Sequence, residues 1–316
     1  MRSSTRPSSS TSKTTTRPIP PPENGGDGRL ARRLDRLRAD AAARGLTPAI
    51  LRRFRALVRD HYRRCGRDLP WRHTTDPYAV LVSEIMLQQT QVARVCVKFR
   101  EFMTAFPDPA ALAVAPPRQV LAVWQGMGYN RRALALQRAA QAVMARHGGR
   151  LPADLDGLTA LPGIGPATAA DILAFAFNKS DVVIETNIRA VFIHLFFPGG
   201  RSVPDVALAP LVARTMDRRN PRDWYNGLMD LGTAIKRLHG NPARRSAHHV
   251  RQSAFEGANR QLRSRILKLL LATTGGLTAA ATAHRLDLPV NRVRENMARM
   301  AGEGLLRLSH GKHWIS

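Results

Sequence analysis

Leu161-Pro162-Gly163-Ile164-Gly165-Pro166 is the stretch on which the reading of this chain turns. It lies between an apolar-periodic segment ending at Leu161 and an Ala-rich one opening at Ala167, which predicts a tight hairpin joining two helices. Gly163 and Gly165 let the backbone turn sharply and leave peptide N–H groups unshielded, a nest in which a phosphate can rest. Glu185 follows after a helix-length gap, at the expected start of a helix over 187–197, where the helix dipole favours an ionised acid. A carboxylate beside a phosphate-anchored strand can stabilise the cation that develops at a deoxyribose C1′, or attack that carbon, as in glycoside hydrolysis. Asn187 can hydrogen-bond the sugar or the carboxylate. Neither half decides alone. Such hairpins also occur in modules that merely hold DNA, and an acid at a helix start is more often a cap.

Upstream stands Ser83-Glu-Ile-Met-Leu-Gln-Gln-Thr-Gln91. Glu84 lies in an otherwise apolar helix beside Val80, Leu81, Ile85 and Leu87, surroundings that raise a carboxyl pKa and let the acid donate a proton near neutrality. Gln88, Gln89 and Thr90 put neutral hydrogen-bonding groups at the helix end, suited to unpaired bases. Read in isolation, the same string is a surface Glu followed by a polar helix end.

Composition bounds the function. The 316 residues suit one large domain or two to three small ones. The net charge is +26, and only six of the 49 basic residues are Lys. A surface this basic attracts polyanions, foremost nucleic acid, although ribosomal or membrane-surface binding would give the same sign. The two cysteines, Cys65 and Cys96, cannot ligate an iron–sulfur cluster, form no zinc spacing, and read as buried reduced thiols of a cytosolic protein. No run approaches the ~18 apolar residues of a membrane span.

Residues 1–28, rich in Ser, Thr, Pro and Gly, read as a disordered basic tail. From 29 to 239 amphipathic segments punctuated by Pro and Gly predict an all-α body. It divides into a six-helix subdomain over 75–179 and a second helical subdomain from 47–74 and 180–239. A basic linker over 240–259 leads to a module at 260–316, with three helices and two short strands in winged-helix order. Its last helix offers Asn291, Arg292, Arg294 and Asn296 to a DNA groove or to a protein partner.

Segment 69–236 resembles the catalytic domain of the helix-hairpin-helix DNA glycosylases, nearest the adenine glycosylase (MutY) branch and more distantly endonuclease III. The strings that carry the resemblance are Leu-Pro-Trp (69–71), Pro-Tyr (77–78), the run 83–92, Trp-Gln-Gly-Met-Gly-Tyr (124–129), His-Gly-Gly (147–149), Leu-Pro-Gly-Ile-Gly (161–165) and Met-Asp-Leu-Gly (229–232). It implies catalytic roles for Glu84 (proton donor to the departing base), Glu185 (at the position of a catalytic Asp) and Asn187 (its assistant). It implies DNA contacts by Gln88, Gln89, Thr90, by Tyr129 as a wedge in the base stack, and by the hairpin residues Leu161, Gly163, Gly165 and Ala167. Extrusion of the target base is required, because its glycosidic bond is inaccessible in a paired duplex.

Four departures qualify the match. Glu replaces Asp at 185, adding a methylene and roughly 1.5 Å of reach; Asp181 is the backup carboxylate. Ala167 stands where lyases of the family carry Lys, which predicts a monofunctional enzyme, with Lys179 as the nearby Lys. The four-Cys cluster motif is absent after Gly232, so no iron–sulfur cofactor is expected. The hairpin can still hold a monovalent or divalent structural cation, and His239, His248 and His249 could form a His-only site. A winged-helix-like module stands where the family carries the NUDIX-like domain that reads 8-oxoguanine, so no such domain is expected. The expectation is therefore a monomeric, cytoplasmic, nucleoid-associated enzyme acting on double-stranded DNA with a mismatched or damaged base. Adenine opposite guanine or 8-oxoguanine is the first substrate reading, thymine or uracil in mismatches the second, and a non-catalytic DNA-binding regulator the third.

Overall fold

The structure, a computed structural model, describes residues 24–179, 181–250 and 255–316. Most of the tail expected at 1–28 lies outside them; its last five residues open the first helix, α1 (Asn24–Arg44). Next come α2 (Pro48–Cys65), α3 (Pro77–Leu87), α4 (Val92–Ala105), α5 (Pro109–Val114), α6 (Pro117–Val123), α7 (Arg131–His147) and α8 (Leu155–Thr159). Then follow α9 (Pro166–Phe175), α10 (Thr186–Phe196), α11 (Asp205–Thr215) and α12 (Pro221–His239). The C-terminal module holds α13 (Asn259–Leu271), α14 (Ala279–Leu286), α15 (Val290–Gly302) and the antiparallel pair β1 (Leu306–Ser309) and β2 (Lys312–Ile315). No helix among the described residues is long and apolar enough to cross a membrane.

Side-chain caps set the helix starts. Thr47 accepts from Ile50 N, Asp76 from Tyr78 N and Ala79 N, Asp108 from Ala111 N, and Asp154 from Gly157 N. In each case an oxygen satisfies a donor that the first helical turn leaves without a partner. Pro at the first helical position of α2, α3 and α5 adds a φ already suited to the helix.

Two apolar cores form. One joins α3 to α9 with the C-terminal module, whose Leu262, Ile266, Leu270, Val293 and Met297 belong to the same continuous cluster. The other joins α1, α2 and α10 to α12 around Phe54, Phe192, Trp224 and Tyr225. α9 serves both: Ala169, Ile172 and Leu173 face the first core, and Ala170 and Ala174 the second. The groove between the cores is therefore walled by α9 and by the helices that meet it.

The module is docked rather than tethered. Arg118 donates to the carbonyls of Leu270, Leu271 and Thr273 at the end of α13, and Arg131 on α7 lies 3.8 Å from the Glu303 carboxylate, which within the module takes both guanidinium branches of Arg263. The segment expected as a free linker is likewise tied down as far as Ala247. It contains a 3₁₀ turn, Pro242–Arg245, with Pro242 and Ala243 buried. Val203 donates to Arg245 O at 2.7 Å, and Ala247 N donates to Val203 O at 2.9 Å. Arg245 itself donates to the carbonyls of Ile193, Phe197 and Pro198 around the C-terminus of α10. A basic composition that reads as a linker is here a helix cap.

Candidate active site

The hairpin between α8 and α9 is built as its sequence suggests, with an unequal division of labour between its glycines. Gly163 has φ +80, and a Cβ there would meet Ala135 Cβ at 2.7 Å, so both turn and close packing demand glycine. Gly165 has an ordinary φ of −89 and open space around it. It caps α9 without a side-chain hydrogen bond, and with Pro166 first in the helix the Ala167 and Thr168 N–H groups are the ones left without intrahelical partners. Ala167 is exposed on the same turn. Leu161 differs from the expectation: its side chain is buried in the first core and only its backbone takes part in the turn, where Leu161 O accepts from Ile164 N at 3.2 Å. An apolar side chain at the foot of a hairpin is claimed by the core before any ligand.

A cavity of about 750 Å³ opens in the groove between the cores. That volume falls in the range of small-molecule sites. It brings together Glu84, Gln88, Gln89 and Thr90 from the end of α3, and Glu185 and Asn187 from the start of α10. Tyr129 and the hairpin residues do not line it. Asp181, the alternative acid, is also outside; its Oδ1 accepts from Val182 N and its carbonyl from the Tyr225 hydroxyl.

The acids are tuned by their surroundings. Burial, with the charge of Glu185 second, pushes the Glu84 carboxyl up to about 8, so it carries its proton at neutral pH. Glu185 is raised as well, by burial first, but Arg189 and the Thr186 amide pull it back towards ionisation. Of the two neighbouring acids, Glu84 is thus the one that keeps its proton, and Glu185 the one whose partners favour the carboxylate.

Sequence reasoning missed a third acid. Asp171 on α9 is 4% exposed, lines the same cavity, and its Oδ1 is buried without a hydrogen-bond partner. Burial and then the charges of Glu84 and Glu185 raise its carboxyl well above the carboxylate range. The signal was present, a lone carboxylate inside the apolar run Ala-Ala-Asp-Ile-Leu-Ala (169–174), the same pattern that singled out Glu84. Lys236 was missed too. It lines the cavity and donates to Asn187 Oδ1 at 2.7 Å, and burial followed by the charge of Arg67 lowers its pKa. Lys179, the Lys considered earlier, instead bonds the Ala153 carbonyl and is not in the cavity.

Supporting contacts hold this geometry. Arg132 on α7 donates to the carbonyls of Ile85, Met86 and Gln88 and to Thr90 Oγ1, closing the C-terminus of α3. Gln88 donates to Thr168 Oγ1 at 3.2 Å, tying α3 to α9. Buried Asp230 accepts from Arg67 and, through both branches, from Arg72. Gly232 lets α12 close on the start of α10, where a Cβ would lie 2.2 Å from Asn187 O. Gln89 and Tyr129 are both in the left-handed region, at φ 54 and 46, strain of the kind that gathers at working sites. Tyr129 is 41% exposed, with the Arg132 guanidinium 5.4 Å from its ring and Arg260 of the C-terminal module 3.5 Å from its hydroxyl.

Residues 82–210 match the HhH-GPD superfamily of base excision DNA repair proteins. An adenine DNA glycosylase of Mycobacterium tuberculosis is 34% identical over 243 residues, covering 69% of this chain and 79% of that one. The chain belongs to the helix-hairpin-helix DNA glycosylases. It is a DNA N-glycosylase of base excision repair. A thymine/uracil-DNA glycosylase of Pyrobaculum aerophilum is 36% identical over 146 residues, 46% of this chain and 64% of that one. Among solved structures, a thermostable thymine-DNA glycosylase superposes with a TM-score of 0.53 at 27% identity, over 58% of this chain and 85% of that chain.

Proposed function

We propose that this glycosylase removes mispaired adenine, from opposite guanine or 8-oxoguanine, by hydrolysis without strand cleavage. The observation that carries the reading is Glu84, a carboxyl kept protonated near neutrality inside the cavity. Adenine is a poor leaving group until a ring nitrogen is protonated, so a buried acid that still holds its proton is what its departure needs. Glu84 donates that proton. The C1′–N bond breaks with its electron pair going to the base, and the Glu185 carboxylate stabilises the sugar cation. Water then adds at C1′ and gives up a proton. Asn187, held by Lys236, orients the reacting groups. The open N-terminus of α9 anchors a phosphate, Gln88, Gln89 and Thr90 meet unpaired bases, and Tyr129 enters the stack. Ala167 offers no amine for a Schiff base, which supports a monofunctional reaction.

A second reading, removal of mismatched thymine or uracil, has the support of the thymine/uracil-DNA glycosylase likeness. A pyrimidine leaves as its anion and does not call for a protonated Glu84. Single-turnover assays over a panel of mispairs, each with and without alkali, separate the readings. Release of adenine from A·G or A·8-oxoguanine, with strand breaks only after alkali, is the expected result. Release of thymine or uracil from pairs with G, and no release of adenine, would overturn the proposal.

A further inference from the structure

Asp35 on α1, His194 on α10 and His239 at the end of α12 each bring one ligand atom to a common point, all within 4.8 Å of one another. No hydrogen bond or ion pair joins them. His194 is 4% exposed, and its Nε2 is buried with no partner. An unsatisfied buried nitrogen of that kind costs ~1–3 kcal/mol. The two imidazole rings lie 4.4 Å apart at 36°, inclined to each other rather than flat-stacked. Asp35 and His239 are exposed, so an ion can enter from solvent and their side chains can close on it.

We propose that Asp35, His194 and His239 hold one divalent transition-metal ion of the zinc class, with water completing a four-coordinate shell. Two imidazoles and a carboxylate are the donor set such an ion favours. Ligand atoms around a tetrahedral zinc stand ~3.4 Å apart, given bonds of ~2.0–2.2 Å, so closure from 4.8 Å asks about an ångström of the two exposed side chains. The charges facing His194 are Asp35, Arg38, His239 and Arg245. Arg245 is engaged by carbonyls at the end of α10, so Arg38 is the cation that weakens the site.

The ion would clip three helices near the catalytic groove without touching substrate. α10 begins beside Glu185 and carries Asn187, and α12 carries Lys236 one turn before His239. The Lys236–Asn187 hydrogen bond joins that helix pair on the cavity side, and the ion would join it farther along.

The test uses the full chain stripped by a chelator and titrated with zinc against a chromogenic competitor, with melting followed in parallel. One equivalent should bind, and Tm should rise by ~5 °C or more at a hundredfold excess over Kd. His239→Ala and Asp35→Asn, both surface changes, should weaken binding at least ~10-fold. His194→Ala should do the same, and if that buried change unfolds the chain the two surface variants decide. Two results would overturn the proposal. One is wild-type protein that takes up no zinc. The other is His239→Ala with undiminished stoichiometry and affinity, which would place the ion on other histidines such as His248 and His249. Neither depends on which base is excised.

Discussion

Glu84→Gln should make the protein more stable and nearly inactive at once, with a stability gain that grows with pH. An acid whose folded-state pKa lies above its unfolded value holds its proton more tightly in the folded chain. Its effect is absent below the unfolded pKa, and stability falls as pH rises through the window between the two values. For Glu84 the window runs from 4.5 to about 8. Across it the wild type loses ~1.4 kcal/mol per pH unit, an upper bound of ~4 kcal/mol by pH 7.5. Asp171 and Glu185 share the site and relax when one member changes, so about half of that, ~2 kcal/mol or a Tm gain near 5 °C, is the working figure. Gln keeps the shape and removes the charge, so the two proteins should melt together near pH 4.5 and diverge steadily towards pH 8. Excision should fall by ~10²–10⁴, the usual contribution of a general acid. The assay is thermal melting of both proteins from pH 4.5 to 9, with single-turnover adenine release at each pH. A Tm difference that does not vary with pH would refute a buried, protonated Glu84, and undiminished release would refute its role as donor.

Glu185→Gln should leave duplex affinity intact and slow single-turnover excision by orders of magnitude; an unchanged rate would remove Glu185 from the chemistry. Asp171→Asn replaces an acid that burial and then the charges of Glu84 and Glu185 hold protonated, so its melting temperature should exceed that of the wild type by a margin that widens with pH, with DNA binding unaltered. A margin that does not vary with pH would show that the Asp171 carboxyl is not held protonated. Lys236→Gln tests the monofunctional reading from the opposite side: borohydride should trap no DNA adduct on the wild type. A wild-type adduct that disappears in the variant would make Lys236 a Schiff-base amine. Gly232→Ala should cost ~3 kcal/mol or more, because a Cβ 2.2 Å from Asn187 O forces α12 off α10; a melting temperature within 2 °C of wild type would show that the contact yields.

What could be read from the chain and what could not divide along the range of the interaction. The hairpin, the Pro and Asp caps and the succession of helices are local, and each is written within a few residues of where it acts. The two hairpin glycines look equivalent in sequence, yet only Gly163 needs its residue type, because Ala135 of α7 lies against it and nothing lies against Gly165. Lys236 on the polar side of α12 looks like any solvated lysine until Gly232 brings that helix onto Asn187. Arg245 reads as linker charge until the end of α10 arrives to be capped.

Asp171 shows where the limit lies, because its local pattern was as informative as that of Glu84. Both are single carboxyls in apolar helical runs, and apolar neighbours alone raise an acid's pKa. What no local pattern contains is that α3, α9 and the start of α10 converge on one cavity, so three acids at 84, 171 and 185 share a single low-dielectric space. Like charges so placed cannot all ionise, and the protons are a property of the cluster rather than of any one residue. A proton donor that is charged in isolation at pH 7 is thus kept loaded by burial first and by its acidic neighbour second. The longer acid at 185 fits the same logic: Arg189 and the Thr186 amide favour its ionised form, which makes it the member of the cluster best able to carry the charge. Glu84 stays loaded through burial first and the charge of Glu185 second, so a variant that neutralises Glu185 should lower the pKa of Glu84 as well as remove the stabiliser of the cation. The pH profile of whatever excision remains in Glu185→Gln therefore tests the coupling itself: its alkaline limb must fall below that of the wild type, and a limb that stays near 8 would mean burial alone holds the proton on Glu84.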